Sequence, residues 1–471
     1  MLKSQRRQYH QRIAQTLEER FRDTRETQPE LLAHHYTEAG LTAPALVYWQ
    51  RAGQRAIERS AYVEAMAYLT RGLDVLKGFP EGAERTQHEL ALQVSLGVPL
   101  MVTKGYASPE VEQTYGRARE LCLQVGETPQ LATVLWALWA YYLVAGKLQT
   151  ALEVAEQYRA LAQKTQDPEL LLETCQLMGL TLHHLGDLVA ARPHLQQGMT
   201  LYDPARHHAL IFSHGGVDTG VAMQTHLALT QWLLGYPSQA RRSMHAALLL
   251  AQKLNHPFSE AYAWLCVAWL RELCGESVKE PAGKAVSICA EHGFPFWGAI
   301  ASMLAGWALA EEGAWEAGIA QMRQGRAAIE ATGAQLFVTH PVSLLVKAHA
   351  NAGQAEEGLT LLAETLAMIT RTGEGAWDAE PYRLKGELVL AVSRSRHAEA
   401  EALFRQAIDI ASTRRAKSLE LRAAMSLSRL LKQQGRKDEA RQLLKELYPW
   451  FTEGFETADL KEAEELLVEL S

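Results

Sequence analysis

The sequence predicts an all-α repeat protein, a solenoid of helical hairpins rather than a globular domain with one core. Glycines recur about every forty residues along most of the 471-residue chain, and a regular period of this length is typical of stacked supersecondary units. The stretches on both sides of these glycines have helical periodicity, and strand signals are nearly absent. The repeating glycines are Gly105, Gly146, Gly186, Gly235, Gly275, Gly313, Gly353 and Gly435, with one marker missing near residues 393–395.

The first helix of each unit precedes its glycine. Residues 168–185 and 257–274 have apolar side chains at helical spacing, and both stretches begin with proline. Proline suits the first turn of a helix because no backbone donor is lost there. Glycine suits the other end because it adopts the left-handed conformation that terminates helices.

The second helix follows the glycine and has a small–large–small pattern. A small residue stands five positions after the glycine, a large apolar residue four positions later, and often a second small residue three positions after that, as in Ala191, Leu195 and Gly198. The two small residues are two helical turns apart and lie on one face. This face allows close approach of a neighbouring helix.

These positions resemble the tetratricopeptide repeat (TPR), although the period is about forty residues rather than the usual 34 or so. The resemblance covers roughly residues 45–447 and implies a right-handed α-solenoid superhelix of TPR-like hairpins with longer helices. Residues 1–44 are expected to form an N-terminal helical segment, and residues 448–471 a C-terminal capping helix. A loop insert is predicted at about 203–220, where one period is stretched.

Composition and charge exclude several classes of partner. The formal net charge of −7 opposes a broad nucleic-acid footprint. The longest apolar run, residues 131–145, is too short to span a membrane, and the polar N-terminus does not resemble a signal peptide. The five cysteines have no paired spacing and are predicted to be buried in a reducing compartment. We therefore expect a cytoplasmic protein without a nucleic-acid or membrane partner.

A small basic cluster lies near the N-terminus. We interpret it as a solvated helix face, with phosphate or partner binding as the alternative. Its members are Lys3, Arg6, Arg7 and Arg12.

A search for chemistry finds no phosphate-binding loop, nucleophile elbow or zinc-protease motif, so no enzyme activity and no cofactor are expected. Imidazoles and carboxylates gather in the insert and are weak candidates for a zinc site, although their spacing fits no structural zinc pattern. A loop that contacts a partner and plain loop packing are the alternatives. The residues are Asp203, His207, His208, His214 and Asp218.

Two pairs of adjacent histidines, His34–His35 and His183–His184, are not expected to share an ion, because consecutive side chains leave a helix in different directions.

Aromatic residues cluster at helical spacing, for example Trp136, Trp139, Tyr141 and Tyr142. Most are predicted to pack between repeats. The alternative is an aromatic-lined concave groove for a peptide, a protein segment or a small molecule, a surface that such superhelices present. Trp139 and Tyr142 are the residues predicted to face that groove.

Three strings carry a more specific resemblance: HQRIAQTLEERF at 10–21, KGYASPEVEQTYGRARELC at 104–122 and KSLELRAAMSLSRLLKQQGRKDEARQLL at 417–444. They are similar to the C-terminal half of large bacterial STAND-type signalling ATPases, which are often fused to class III adenylate or guanylate cyclase domains. In that family the repeat half is a sensor that restrains the NTPase until an inducer or partner binds.

This chain has neither the Walker motifs of the NTPase nor the metal-binding aspartates of the cyclase. The resemblance therefore implies a non-catalytic, protein- or ligand-binding regulatory module, either free-standing or acting with a separately encoded NTPase or cyclase polypeptide. The alternatives are a severed gene fragment that keeps the fold without an output, and a metal-dependent site in the 203–218 insert.

Overall fold

A computed structural model describes residues 3–126, 128–211 and 216–471, and all regular secondary structure in these ranges is helical. The predicted all-α class is confirmed. The chain divides into two compact units: unit 1 comprises residues 1–141 and 209–216, and unit 2 comprises residues 142–208 and 217–471.

In its described residues, unit 1 contains seven helices and most of an eighth, and the eighth continues into unit 2. They are α1 Lys3–Arg20, α2 Arg22–Thr27, α3 Pro29–Ala39, α4 Thr42–Glu58, α5 Tyr62–Leu76, α6 Ala83–Lys104, α7 Pro109–Val125 and α8 Gln130–Val144. The predicted domain boundary at residue 44 falls inside α4.

Unit 2 continues with long helices in consecutive hairpins. They are α9 Leu148–Thr165, α10 Pro168–His184, α11 Leu188–Leu201, the single turn α12 Pro204–His207, α13 Thr219–Leu233, α14 Pro237–Leu254, α15 Pro257–Leu273, α16 Lys279–His292, α17 Pro295–Glu311, α18 Trp315–Ala331, α19 Thr339–Asn351, α20 Ala355–Thr372, α21 Ala379–Val392, α22 His397–Arg414, α23 Lys417–Gln433, α24 Lys437–Leu447 and α25 Ala458–Glu469. Short 3-10 turns occupy His208–Leu210 and Tyr448–Trp450.

The turn chemistry follows the prediction. All eight repeating glycines have positive φ, from 71° at Gly146 to 94° at Gly105, a conformation that costs other residues energy. Where the marker is missing, the turn after α21 is closed by a hydrogen bond of 3.1 Å from the Arg396 N–H to the Ser393 carbonyl.

The small–large–small pattern allows close helix packing, as predicted. A side chain at Gly179 of α10 would come within 2.6 Å of Leu195 on α11, and one at Gly306 of α17 within 2.7 Å of Met322 on α18. These two hairpins therefore need glycine opposite the large apolar side chain. The five cysteines are buried and unpaired, also as predicted.

The core of unit 1 ties α1 to the helices that follow it. Ala14 of α1 packs with residues of α3 and α4, including Leu32 and Ala33. The hydroxyl groups of Tyr36 and Tyr48 both donate to the carboxylate of Glu18 on α1. Burial and this carboxylate raise the pKa of Tyr48 to about 12, so the tyrosine stays a donor.

Within unit 2, segments far apart in sequence are joined by hydrogen bonds. The N–H of Gln335 donates to the carbonyl of Val144, and the N–H of Gly375 to that of His184, at 2.9 and 2.8 Å. The hydroxyl of Ser418 donates to the carbonyl of Trp232, 186 residues earlier. Carbonyls at a helix end have no partner within their own helix. In unit 2 the donor comes from a segment roughly five hairpins later, from a loop at Gln335 and Gly375 and from the first turn of α23 at Ser418.

Candidate functional site

The histidines of the predicted insert are held by local hydrogen bonds. The backbone N–H of Asp203 donates to Nδ1 of the buried His207 at 2.9 Å. Nδ1 of His208 lies 3.0 Å from Oδ2 of Asp218. His214 lies outside the described residues. Two of the predicted metal ligands, His208 and Asp218, therefore meet, whereas Nδ1 of His207 is engaged by the backbone.

Asp218 has a structural role that the sequence reasoning missed. Its side chain is fully buried, and it accepts hydrogen bonds from the backbone N–H groups of Gly220 and Val221 at 2.9 and 3.1 Å. The hydroxyl of Tyr202 donates to both carboxylate oxygens, at 2.8 and 2.9 Å. The carboxylate thus caps the N-terminus of α13. A metal site in the insert stays a prediction.

The two predicted groove residues differ in exposure. Trp139 is only 2% exposed, and its ring packs edge-on against Trp136 with centroids 5.8 Å apart. The prediction that Trp139 is exposed is wrong, because α8 buries apolar side chains around most of its circumference. Tyr142 is half-buried, with the ammonium group of Lys147 5.5 Å from its ring centroid. A binding role for either residue stays a prediction.

Aromatic rings fill the interior of unit 2. Trp269 of α15 stacks on His340 of α19 with centroids 4.9 Å apart, and His340 lies 5.1 Å from Trp377. Trp377 comes from the loop before α21 and also stacks on Trp232 of α13 at 6.2 Å. All four rings are buried. The faces of α13, α15 and α19 that carry these rings are therefore covered by the chain itself and are not exposed to the predicted groove.

A second interior group surrounds Phe337, from the loop before α19. Its ring contacts His184 of α10 at 4.8 Å and His226 of α13 at 6.2 Å between centroids. His183 faces the other way and pairs its Nδ1 with the Thr230 hydroxyl at 2.9 Å. Burial, joined by neighbouring imidazoles, holds the pKa values of His183 and His184 well below the ordinary range. These histidines are neutral packing residues.

Charged side chains form an ionic cluster beside the rings. Glu272 of α15 accepts a hydrogen bond from Lys347 of α19 at 3.2 Å and lies 3.1 Å from His340 Nε2. On α21, Arg383 donates to both oxygens of Glu380, at 2.7 and 2.6 Å. Glu380 is also 3.8 Å from Lys347, which links the two pairs.

Both carboxylates of this cluster are ionised. Burial alone would raise their pKa values, but the nearby Lys347 holds the pKa of Glu272 well below its ordinary value, and Arg383 does the same for Glu380. Opposite charges in contact offset the cost of removing both from water. The cluster holds α15, α19 and α21 together. The i, i+3 spacing of Glu380 and Arg383 is the only trace of it in the sequence.

The N-terminal helix presents an apolar stripe to solvent. The stripe consists of Tyr9, Ile13, Leu17 and Phe21, which follow one another every four residues and so share a face of α1 and the residue after it. Tyr9 is 53%, Ile13 42% and Phe21 54% exposed, whereas Leu17 packs partly on the core of unit 1. A depression of about 300 Å³ lies on this face, lined by Tyr9, Arg12, Ile13, Thr16 and Leu17.

The predicted basic cluster divides around the stripe. Arg6 pairs with Glu38 of α3, so it contributes to the packing of α1. Arg12 lines the depression and Arg20 closes the helix, and both are exposed. The stripe is therefore an apolar surface with a positively charged border. The basic cluster predicted from the sequence contains Arg12 but not Arg20, and the sequence reasoning missed the four-residue spacing of the apolar side chains.

No family model matches the chain. The chain is 25% identical over 408 residues to an uncharacterized protein of Rhizobium meliloti (strain 1021), an alignment that covers 85% of this chain and 39% of that protein. The chain thus spans well under half the length of this relative. In the described part of the chain, each helix is too short or too polar to cross a membrane.

Several solved helical structures are similar to the chain at low identity. A Rap protein complexed with competence and sporulation factor has a TM-score of 0.49 and 13% identity, covering 84% of this chain and 99% of its own. The apo quorum sensor NprR from B. thuringiensis has a TM-score of 0.45 and 12% identity, covering 78% and 99%. A STAND protein with a tetratricopeptide repeat sensor from Pyrococcus horikoshii has a TM-score of 0.41 and 14% identity, covering 82% and 55%. At this level of similarity, the solved structures give no evidence about the function of the chain.

Proposed function

We propose that this chain is a non-catalytic regulatory module that acts with an NTPase polypeptide, and that the apolar stripe of α1 is the surface it uses. The observation that carries the proposal is the exposure of three large apolar side chains, Tyr9 and Ile13 of α1 and Phe21 directly after it, along a helix that is otherwise strongly polar. Single exposed apolar residues are ordinary, but several that share one face form a patch, and an exposed apolar patch marks an interaction site.

The choice of an NTPase as the occupant rests on the sequence around the stripe. The segment HQRIAQTLEERF contains most of the stripe and is similar to the region that follows the NTPase module in STAND-type proteins. The exposed arginines at its border, Arg12 and Arg20, favour a partner surface with an apolar centre and an acidic rim. The NTPase is proposed to be a separate polypeptide.

Interfaces concentrate their binding energy in a few aromatic and apolar side chains at the centre. Ile13 lies between Tyr9 and Leu17 in the stripe and lines the depression, so it is the residue to change. Ile13→Asp places a charge at the centre of the proposed contact. Because Ile13 is 42% exposed, the substitution leaves the core of unit 1 intact.

The test has two steps. The chain is first used to capture its partner from the native host, and a polypeptide with Walker motifs is then purified and titrated against the chain by biolayer interferometry. Ile13→Asp is expected to weaken this binding by about 30-fold or more, the loss of one central contact. Val63→Asp on α5 is the matched control, because Val63 is another apolar residue of unit 1 and is 69% exposed.

Equal binding by the wild type, Ile13→Asp and Val63→Asp would refute the assignment of the surface. Failure of any Walker-motif polypeptide to bind the purified chain would refute the NTPase as partner, whatever other proteins are captured. Circular dichroism of each variant confirms that the helices are retained.

A further inference from the structure

Three histidines meet on the surface of unit 1. His34 and His35 are neighbours on α3, and His10 of α1 lies against both, with ring centroids 6.0 and 5.0 Å away. Nδ1 of His10 is 2.8 Å from Nδ1 of His35. One nitrogen atom from each of the three rings lies within 4.8 Å of the other two. The expectation that His34 and His35 share no ion considered one helix only, and a third ring from another helix changes it.

The backbone around these rings is fixed by contacts on both sides. Along α1, Arg6 precedes His10 by one turn and pairs with Glu38, which follows His34 by one turn on α3. Further along α1, Glu18 accepts the hydroxyl of Tyr36. Apolar packing of Ala14 lies between these two polar contacts. The two helices therefore hold the histidines together without any contribution from the imidazoles themselves.

The contact between the two Nδ1 atoms constrains protonation. At 2.8 Å one of the two nitrogens donates its proton and the other accepts with its lone pair. Three imidazolium ions in this space would repel one another. Neutral imidazole is the form that ligates metals.

We propose that His10, His34 and His35 bind one Zn²⁺ ion, with the fourth position left to water or to a group from a partner. Neutral imidazole suits zinc and similar divalent transition metals, whereas calcium and magnesium require oxygen ligands. With Zn–N bonds of about 2.0–2.1 Å in tetrahedral geometry, ligand nitrogens are roughly 3.3 Å apart. The His10 and His35 nitrogens must therefore separate by about half an ångström. Side-chain rotation of partly exposed rings achieves this.

The site goes beyond the proposed function, because metal binding here requires no partner. The ion would link α3 to α1, the helix that also carries the apolar stripe. If the chain does not bind zinc, the effect of Ile13→Asp on partner binding still tests the proposed function. Loss of partner binding in Ile13→Asp would equally leave the zinc titration unchanged.

The experiment uses the full chain without a polyhistidine tag, freed of metal by chelator and dialysis. ZnCl₂ is titrated by isothermal calorimetry, and Co²⁺ is titrated in parallel because its visible absorption reports tetrahedral coordination. The wild type is expected to bind one equivalent of each ion. His10→Asn is expected to lose about 100-fold or more in Zn²⁺ affinity and to lack the tetrahedral Co²⁺ absorption.

His245→Asn is the matched control, since His245 is an exposed histidine on α14, and it should bind zinc like the wild type. His35→Asn provides a second test on the other helix, and circular dichroism shows whether each variant is folded. Less than one equivalent of Zn²⁺ bound by the wild type, or equal affinity in the folded His10→Asn and His35→Asn variants, would overturn the proposal.

Discussion

Two of the three adjacent histidine pairs of this chain, His34–His35 and His183–His184, have the same local pattern and opposite environments. In unit 2, His183 and His184 meet a third histidine, His226 of α13, with ring centroids 5.0 to 5.4 Å apart. In unit 1, His34 and His35 meet His10 with centroids 5.0 to 6.0 Å apart. The first trio is fully buried, whereas in the second His34 is exposed and the other two are partly exposed.

Burial decides what each trio can do. The buried rings are neutral and pack against Phe337, and His183 uses a ring nitrogen on the hydroxyl of Thr230. The exposed rings keep access to water and therefore to ions. The comparison teaches that repeated sequence patterns specify which helices meet, while the environment of the meeting point separates a packing role from a binding role. Each prediction below tests whether the side chains of unit 2 close its interior to solvent.

The largest expected effect is from removing a ring that closes this interior. Trp377→Ala deletes contacts with Trp232, Trp269 and His340. We expect a loss of about 3–5 kcal/mol in the free energy of unfolding, since the cavity adds to the lost transfer free energy. Denaturant unfolding followed by tryptophan fluorescence and circular dichroism measures it.

Phe455→Ala is the control for this substitution, because Phe455 is exposed in the same unit, and it should change stability by less than about 1 kcal/mol. If both substitutions lowered the free energy of unfolding by similarly small amounts, the rings would not close the interior. An open groove in unit 2 would then be the better interpretation.

The sequence predicts the hairpins, but it does not predict which side chains fill the interior of unit 2. The turn glycines are local features, because each lies between the two helices of one hairpin. The contact of Gly179 with Leu195 is also local, because both residues lie in the same repeat. Trp377 and Phe337 lie in loops, where helical periodicity is absent, and each also contacts a ring several repeats away, Trp232 and His184 respectively. The four-residue spacing from Tyr9 to Phe21 was visible, but only the structure shows that this face of the helix is left uncovered.

The second prediction concerns the charges of the interior. Glu380→Gln removes the carboxylate that accepts two hydrogen bonds from Arg383 and leaves the guanidinium buried with less compensation. We expect a loss of about 3 kcal/mol, because breaking a buried pair from one side leaves an uncompensated charge. The shift of the urea midpoint measures this loss.

Glu399→Gln breaks a solvent-exposed pair with Arg396 at the same sequence spacing, and it should cost no more than about 1 kcal/mol. Similar losses in Glu380→Gln and Glu399→Gln would mean that water reaches the ionic cluster, and the contrast between a closed interior and an open surface would fail.

The smallest expected effect is a gain in stability that depends on pH. Glu374 is buried in the loop before α21 and accepts a hydrogen bond from the hydroxyl of Thr339. Burial, with the negative charge of Asp378 nearby, raises its pKa from 4.5 to about 7. The folded state therefore binds this proton more tightly than the unfolded state. The protonated carboxyl contributes its full stabilisation below pH 4.5, and this contribution is lost as the pH rises to about 7. Between these pH values the unfolded state binds fewer protons than the folded state, so the free energy of unfolding falls as the pH rises.

Glu374→Gln keeps an acceptor for Thr339 and removes the ionisation, so it should stabilise the protein more at pH 8 than at pH 5, by about 2 kcal/mol. Urea unfolding at the two pH values measures the difference. Glu357→Gln, at an exposed position of α20, removes the same formal charge and separates the effect of net charge from that of burial. A gain of equal size at both pH values would place Glu374 in contact with water, because only a carboxyl kept from solvent binds its proton more tightly when the chain folds. The interior of unit 2 would then be open at this loop, at the point where Gly375 joins it to the end of α10.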